Sequence, residues 1–157
     1  MNRGMGRLGM VLPGILLAAV AVALVGRTSV AHEGEPHPFS NHTVKGSWGF
    51  NSSFANLVVP GAPGPLPAAG MGQVVFDGEG GCAVHSFANI NGDTQELRSS
   101  SCTYNVRPDG IGTAEAFFPD APLPGPLPVA FIIVDHAQEL RFLNTKFLVS
   151  TFTARRQ

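Results

Sequence analysis

Beyond Ala31 the chain alternates apolar and polar residues in short runs, and no stretch there holds an apolar face at the 3.6-residue spacing of a helix. Val44–Asn56 sets the pattern. Trp48, Phe50, Ser52 and Phe54 fall on one side of a strand, with Ser47, Gly49, Asn51, Ser53 and Ala55 on the other. Three more strand-like runs fill Gln73–Val106, broken at Asp77-Gly78 and Asn91-Gly92, pairs that supply the positive φ angles of tight hairpins. Ile111–Phe118, Val129–Asp135, Glu139–Asn144 and Phe147–Ala154 follow, with breaks at Arg107–Gly110, His136–Gln138 and Thr145. The pattern amounts to about eight strands joined mostly by short turns, an all-β antiparallel meander. With no helix to cover a face, such a sheet protects its edges best by closing. The expectation is a closed antiparallel up-and-down β-barrel over residues 44–157.

The only two cysteines select a register within it. If Asn91, Gly92 and Asp93 form a three-residue loop, Ile90 faces Thr94. Cys82 then faces Cys102 directly across two antiparallel strands, at a spacing a disulfide can bridge. A two-residue Asn-Gly turn would shift the register by one and send the cysteines to opposite faces, unless a bulge intervened. The sequence therefore predicts a Cys82–Cys102 disulfide and the longer loop. One structural disulfide belongs in an oxidising compartment.

The N-terminal residues agree with export. Met1–Arg7 carries two arginines and no acid, Leu8–Gly26 is apolar, and Ser29-Val30-Ala31 offers small residues at the −3 and −1 positions of a cleavage site. This is the pattern of a signal peptide over residues 1–31. The apolar run is also long enough for an uncleaved anchor, but Pro13 and the cleavage site favour removal, leaving a secreted or periplasmic domain with no stable membrane anchor. Cleavage takes Arg3, Arg7 and Arg27 from the 10 basic residues and none of the 11 acidic ones, so the remainder is net acidic at 7 against 11. With no basic patch interleaved with aromatics, nucleic acid is excluded as a partner.

Residues 32–43 are polar, proline-containing and aperiodic, and read as a flexible arm. Its histidines, His32, His37 and His42, recur every five residues, and cleavage after Ala31 would make the His32 amine and imidazole a copper chelator with His37 or His42 alongside. A flexible arm rarely holds ligands in fixed geometry, so the arm also reads as a tail with scattered histidines.

One motif occurs twice. Pro63-Gly-Pro-Leu-Pro67 recurs as Pro124-Gly-Pro-Leu-Pro128; each copy follows an aromatic strand and leads into an apolar one closing on Asp77 or Asp135. In an up-and-down barrel the two proline loops emerge at one end beside the 91–93 turn, and the tight turns 77–81, 107–110 and 136–138 seal the other. Loops stiffened by proline and carrying Leu66, Leu123 and Leu127 suit the mouth of a pocket for a small apolar molecule, with Trp48 and Phe50 on the inward face of the first strand. The competing reading is a plug, since eight-stranded barrels can be filled by side chains alone.

No catalytic motif stands out, and no cofactor is implied. Glu115, between Thr113 and Phe117, and His85, between Ala83 and Phe87, are the polar residues on apolar strands that an inward orientation would convert into acid/base candidates. Ser47-Trp-Gly-Phe50, Val75-Phe-Asp-Gly78, the Asn91-Gly92 turn, the run from Tyr104 to Thr113 and Ala154-Arg-Arg-Gln157 occur in an order that resembles small exported bacterial proteins of the allene oxide cyclase barrel-like group. That resemblance implies an eight-stranded, calycin-like barrel. Some relatives are cyclases or isomerases, but their catalytic residues have no matched positions here. Gly46-Ser-Trp48 also resembles the Gly-x-Trp that opens lipocalins and avidins, without the later signatures of either. The expected function is non-catalytic binding of a small apolar molecule at the proline-loop mouth. The alternatives are a cyclase/isomerase-type barrel enzyme and periplasmic copper binding through the histidine arm.

Overall fold

The computed structural model describes residues 38–58 and 61–157; the segment read as a signal peptide, with His32 and His37, lies outside them, as does the Phe54 side chain. Ten strands follow in chain order: β1 Gly46–Leu57, β2 Leu66–Phe76, β3 Cys82–Ile90, β4 Asp93–Arg98, β5 Ser101–Val106, β6 Ile111–Phe117, β7 Leu127–Val134, β8 Glu139–Asn144, β9 Leu148–Val149 and β10 Thr151–Arg156. All pair antiparallel in one sheet of order β4-β3-β2-β1-β10-β8-β7-β6-β5, with β9 added beside β1. β4 and β5 are two halves of one run, as are β9 and β10, so the chain makes eight passes. The sheet is curled and barrel-like, with its apolar face turned inward.

The expected register needs one correction. The β3–β4 hairpin pairs Ile90 with Asp93, so Asn91-Gly92 is a two-residue turn and not part of a three-residue loop. Both central residues have positive φ, 53° at Asn91 and 99° at Gly92, as a primed hairpin turn requires. The disulfide nevertheless joins Cys82 to Cys102, with Cα atoms 4.9 Å apart. The reconciling feature lies at Ser99-Ser100. His85 pairs with Arg98, but Gly81 pairs with Thr103, so one extra residue is accommodated between them, as in a bulge. Here the strand also changes partner: Ser99 N donates to Val84 O at 2.9 Å, while Ser100 N donates to Phe117 O at 2.9 Å.

A second bulge, between Ser52 and Ala55 on β1, inverts the expected alternation. Ala55 faces inward instead of outward and is buried together with Leu57. The proline motifs also differ from plain loops. Leu66 and Leu127 are the first residues of β2 and β7, where the prolines that follow are tolerated. Pro67 O accepts from Asn91 N (2.8 Å) and Pro128 O from Thr145 N (3.1 Å), so both copies extend a hairpin in the same way.

The end bearing the turns 77–81, 107–110 and 135–138 is covered by residues 39–45, whose last part forms a 3₁₀ turn, Asn41–Val44. Phe39 N donates to Pro108 O, Asn41 Oδ1 accepts from Val106 N, and Tyr104 Oη donates to Asn41 O while accepting from Gly78 N. The part of the expected arm from Phe39 to Thr43 is thus docked on the sheet. Beneath it Trp48 and Val44 are completely buried, and Trp48 Nε1 donates to Val44 O at 2.7 Å. The Arg156 guanidinium lies 4.6 Å from the centroid of the Trp48 ring and donates to the carbonyls of Thr43 and Lys45, locking β10 to this cap.

Candidate functional site

Inward side-chain size falls along the strands from the capped end to the proline end. On β1 the sequence is Trp48, Phe50, Ser52 and, after the bulge, Ala55; on β2, read from its far end, it is Phe76, Val74, Gly72, Gly70 and Ala68. β3 runs Cys82, Val84, Ser86, Ala88, whereas β6 is small throughout, Gly112, Ala114, Ala116, with the Phe131 ring of β7 filling the space at Gly112. Large residues fill the capped half, and residues with at most one side-chain carbon line much of the other. An eight-stranded interior is just wide enough for ordinary side chains to fill, so substituting small ones leaves space.

That space is a cavity of about 180 Å³. Its floor is aromatic. Phe50, Phe152, Phe142 and Phe76 line it, with Phe142 stacked on Phe152 at 4.5 Å and Phe50 5.5 Å from Phe152. Phe131 and Tyr104 continue this aromatic layer beneath, Phe131 at 5.1 Å from Phe142 and Tyr104 at 4.7 Å from Phe76. Its walls are Ala55, Ala68, Val84, Ala88, Leu97, Ala114, Ala116 and the Cys82–Cys102 disulfide, and its rim is Leu57, Ile90, Phe118, Ala121, Pro122, Leu123, Leu127 and Leu148. The second proline loop therefore contributes directly to the rim.

Of the residues expected at a ligand site, Phe50, Leu123 and Leu127 line the cavity. Trp48 does not; it lies one inward position below Phe50, fully buried in the capped half. Leu66 pairs with Leu57 at the proline end without joining the lining. Glu115 is among the residues bordering the cavity, yet it alternates with inward Ala114 and Ala116 and is itself exposed. His85 faces outward, its Nε2 2.8 Å from Glu96 Oε1, which also accepts from Arg98 at 2.7 Å. These bonds, the Arg98 one foremost, hold the Glu96 carboxyl below its ordinary range. Glu115 and His85 are thus on the outer surface of different strands and do not meet. His42 is exposed in the capping turn, and among the described residues no cluster of His, Cys, Asp or Glu could hold a metal.

Sequence reasoning missed the polar members of the lining: Ser52, Ser86, Asn144 and Ser150. Asn144, Ser86 and Ser150 are each at least nine-tenths buried. Alternation alone placed Ser52 inward, but a serine or asparagine on a strand gives no signal of its own that it borders a cavity. Comparison with protein-family models gives no match, and comparison with curated protein sequences gives none either.

Proposed function

We propose that this protein is an exported, closed β-barrel that binds a small apolar molecule, without catalysis, in the cavity beneath its proline loops. The observation that carries the reading is the 180 Å³ cavity itself, with an aromatic floor and aliphatic walls. An apolar cavity of about 150 Å³ in another protein takes up benzene, so this volume suits a single ring with a small substituent. Ring closure is supported by the seam between β3 and β5, where Tyr104 N donates to Gly80 O at 2.8 Å, Gly81 bridges Thr103 and the disulfide spans the two strands. The disulfide also supports a secreted or periplasmic location, as does the apolar N-terminal segment. The allene oxide cyclase barrel-like kinship belongs to this proposal at the level of architecture. An isomerase would need an ionisable group aimed into the cavity, and Glu115 and His85 face outward.

Ethylbenzene, titrated by calorimetry into the purified full chain, tests the reading. Uptake with saturable binding is expected, weakened at least about tenfold by Leu127→Asp or Leu123→Asp at the rim, while the thermal transition moves little. No uptake by the unchanged chain, or equal uptake by both variants, overturns it.

A further inference from the structure

Ser86 and the outward-facing Glu115 apart, the polar side chains bordering the cavity lie on β1, on β8 and just before β10, and two of them carry hydrogen-bonding atoms left without partners. Asn144, on β8, is about nine-tenths buried and lines the cavity. Its Nδ2 donates to Ser150 Oγ at 2.6 Å, but its Oδ1 is buried and has no partner. Ser52 Oγ, on β1, is likewise buried and unpaired. The register brings these groups to adjoining strands. Ser52 pairs with Phe152 on β10, Ser150 precedes Phe152 by two residues on the same inward face, and Asn144 N donates to Ser150 O at 3.2 Å. An unpaired buried polar atom costs on the order of 1–3 kcal/mol, so two in the lining of one cavity need an explanation.

A ligand can supply the missing partners. Asn144 Oδ1 needs a donor, and Ser52 Oγ can both give and receive a hydrogen bond. A hydroxyl is the simplest neutral group that donates to Asn144 Oδ1. No Lys, Arg or His lines the cavity among the described residues, so nothing there would neutralise a carboxylate or phosphate taken out of water. We propose that the cavity is built for a neutral, ring-sized alcohol or phenol, its apolar body on the Phe142–Phe152 floor and its hydroxyl held by Asn144. The inference rests on the binding function proposed above and names the chemistry of its ligand.

Three probes with one common ring separate the possibilities by calorimetric titration of the full chain: toluene, 4-methylphenol and 4-methylbenzoate. The phenol is expected to bind at least as tightly as toluene, although it loses more hydration, and the benzoate at least about tenfold more weakly than either. Asn144→Leu is expected to weaken the phenol at least about tenfold relative to toluene, because its hydroxyl then enters an apolar wall. Ser150→Ala, which removes the partner of Asn144 Nδ2 and little volume, keeps the test informative should the asparagine variant fold poorly. A severalfold loss for the phenol alone is expected from it, because the carboxamide is then no longer held with its oxygen free. Binding of toluene about tenfold tighter than the phenol, or a phenol-to-toluene ratio unchanged in both variants, overturns the hydroxyl while leaving the apolar pocket standing. Failure of all three probes to bind removes the pocket and this inference together.

Discussion

The two ends of this sheet are made by the same strands and differ chiefly in the size of the side chains pointing inward. At the capped end Trp48, Phe76, Tyr104, Phe131 and Leu140 are buried against one another, under a turn that satisfies the strand ends with hydrogen bonds. At the proline end alanine, glycine and serine stand at the matching inward positions, and a cavity takes the place of a core. Tight packing and open space are thereby separated along the length of the strands. The capped half can hold the fold while the other half stays under-packed, an arrangement that bears a cost wherever apolar surface lacks a packing partner.

The separation is broken most severely at its anchor. Trp48→Ala should destabilise by about 3–5 kcal/mol in denaturant titration, whereas Leu123→Ala at the rim should cost under about 1 kcal/mol. Comparable losses at the two sites would mean that the proline loops are core. The disulfide comes next, because it closes the seam between β3 and β5. Cys82→Ser with Cys102→Ser should cost about 3 kcal/mol by loop entropy, read from the shift in denaturation midpoint. Unchanged stability would show that backbone pairing alone secures the seam.

Adding atoms sharpens the contrast further. A Cβ at Gly112 would lie 2.1 Å from the Phe131 ring, so Gly112→Ala should destabilise by about 1–3 kcal/mol, while Ala88→Val, which grows into the cavity, should change stability by less than about 1 kcal/mol. Thermal denaturation of the pair checks both. The smallest effect is electrostatic and lies on the outer face of the capped end. The Glu139 carboxylate accepts from Arg141 at 2.9 Å and from Arg155 at 3.0 Å, and these contacts, Arg141 first, hold its pKa below the ordinary carboxylate range. A folded-state pKa that is depressed contributes stability above the unfolded value and loses it as pH falls through the folded one. The melting temperature should therefore decline with acidification below about pH 4.3, and Glu139→Gln should flatten that decline.

Much of the fold was legible because strand alternation and turn chemistry are local. The Glu139–Asn144 strand, the 107–110 turn and the Cys82–Cys102 pairing all follow from residues close in sequence or from a single covalent constraint. What escaped was the placement of single extra residues. Nothing in Ser99-Ser100 or Ser52–Ala55 announces a bulge, yet the first restores the cysteines to one face after a shorter turn, and the second turns Ala55 and Leu57 into cavity lining. Trp48 and Phe50 looked equivalent in an alternation pattern. Only the three-dimensional stacking shows that one lies below the cavity floor and the other forms it. The polar lining was hidden for a related reason, since Asn144 and Ser150 meet, and Ser52 comes to line the same cavity, only when β1, β10 and β8 pair.

The pairing of β1 with β10, from Trp48↔Arg156 to Ser52↔Phe152, has a bearing on how the chain folds. The first strand of the sheet has the last one, far along the chain, as a lateral neighbour. That edge, and the stacking of Arg156 on the Trp48 ring, depend on residues separated by all the other strands. Contacts so distant in sequence slow folding, because a long loop must be ordered before they form. The β1–β10 pairing is therefore expected to form late in folding, after the local hairpins on either side of it are in place.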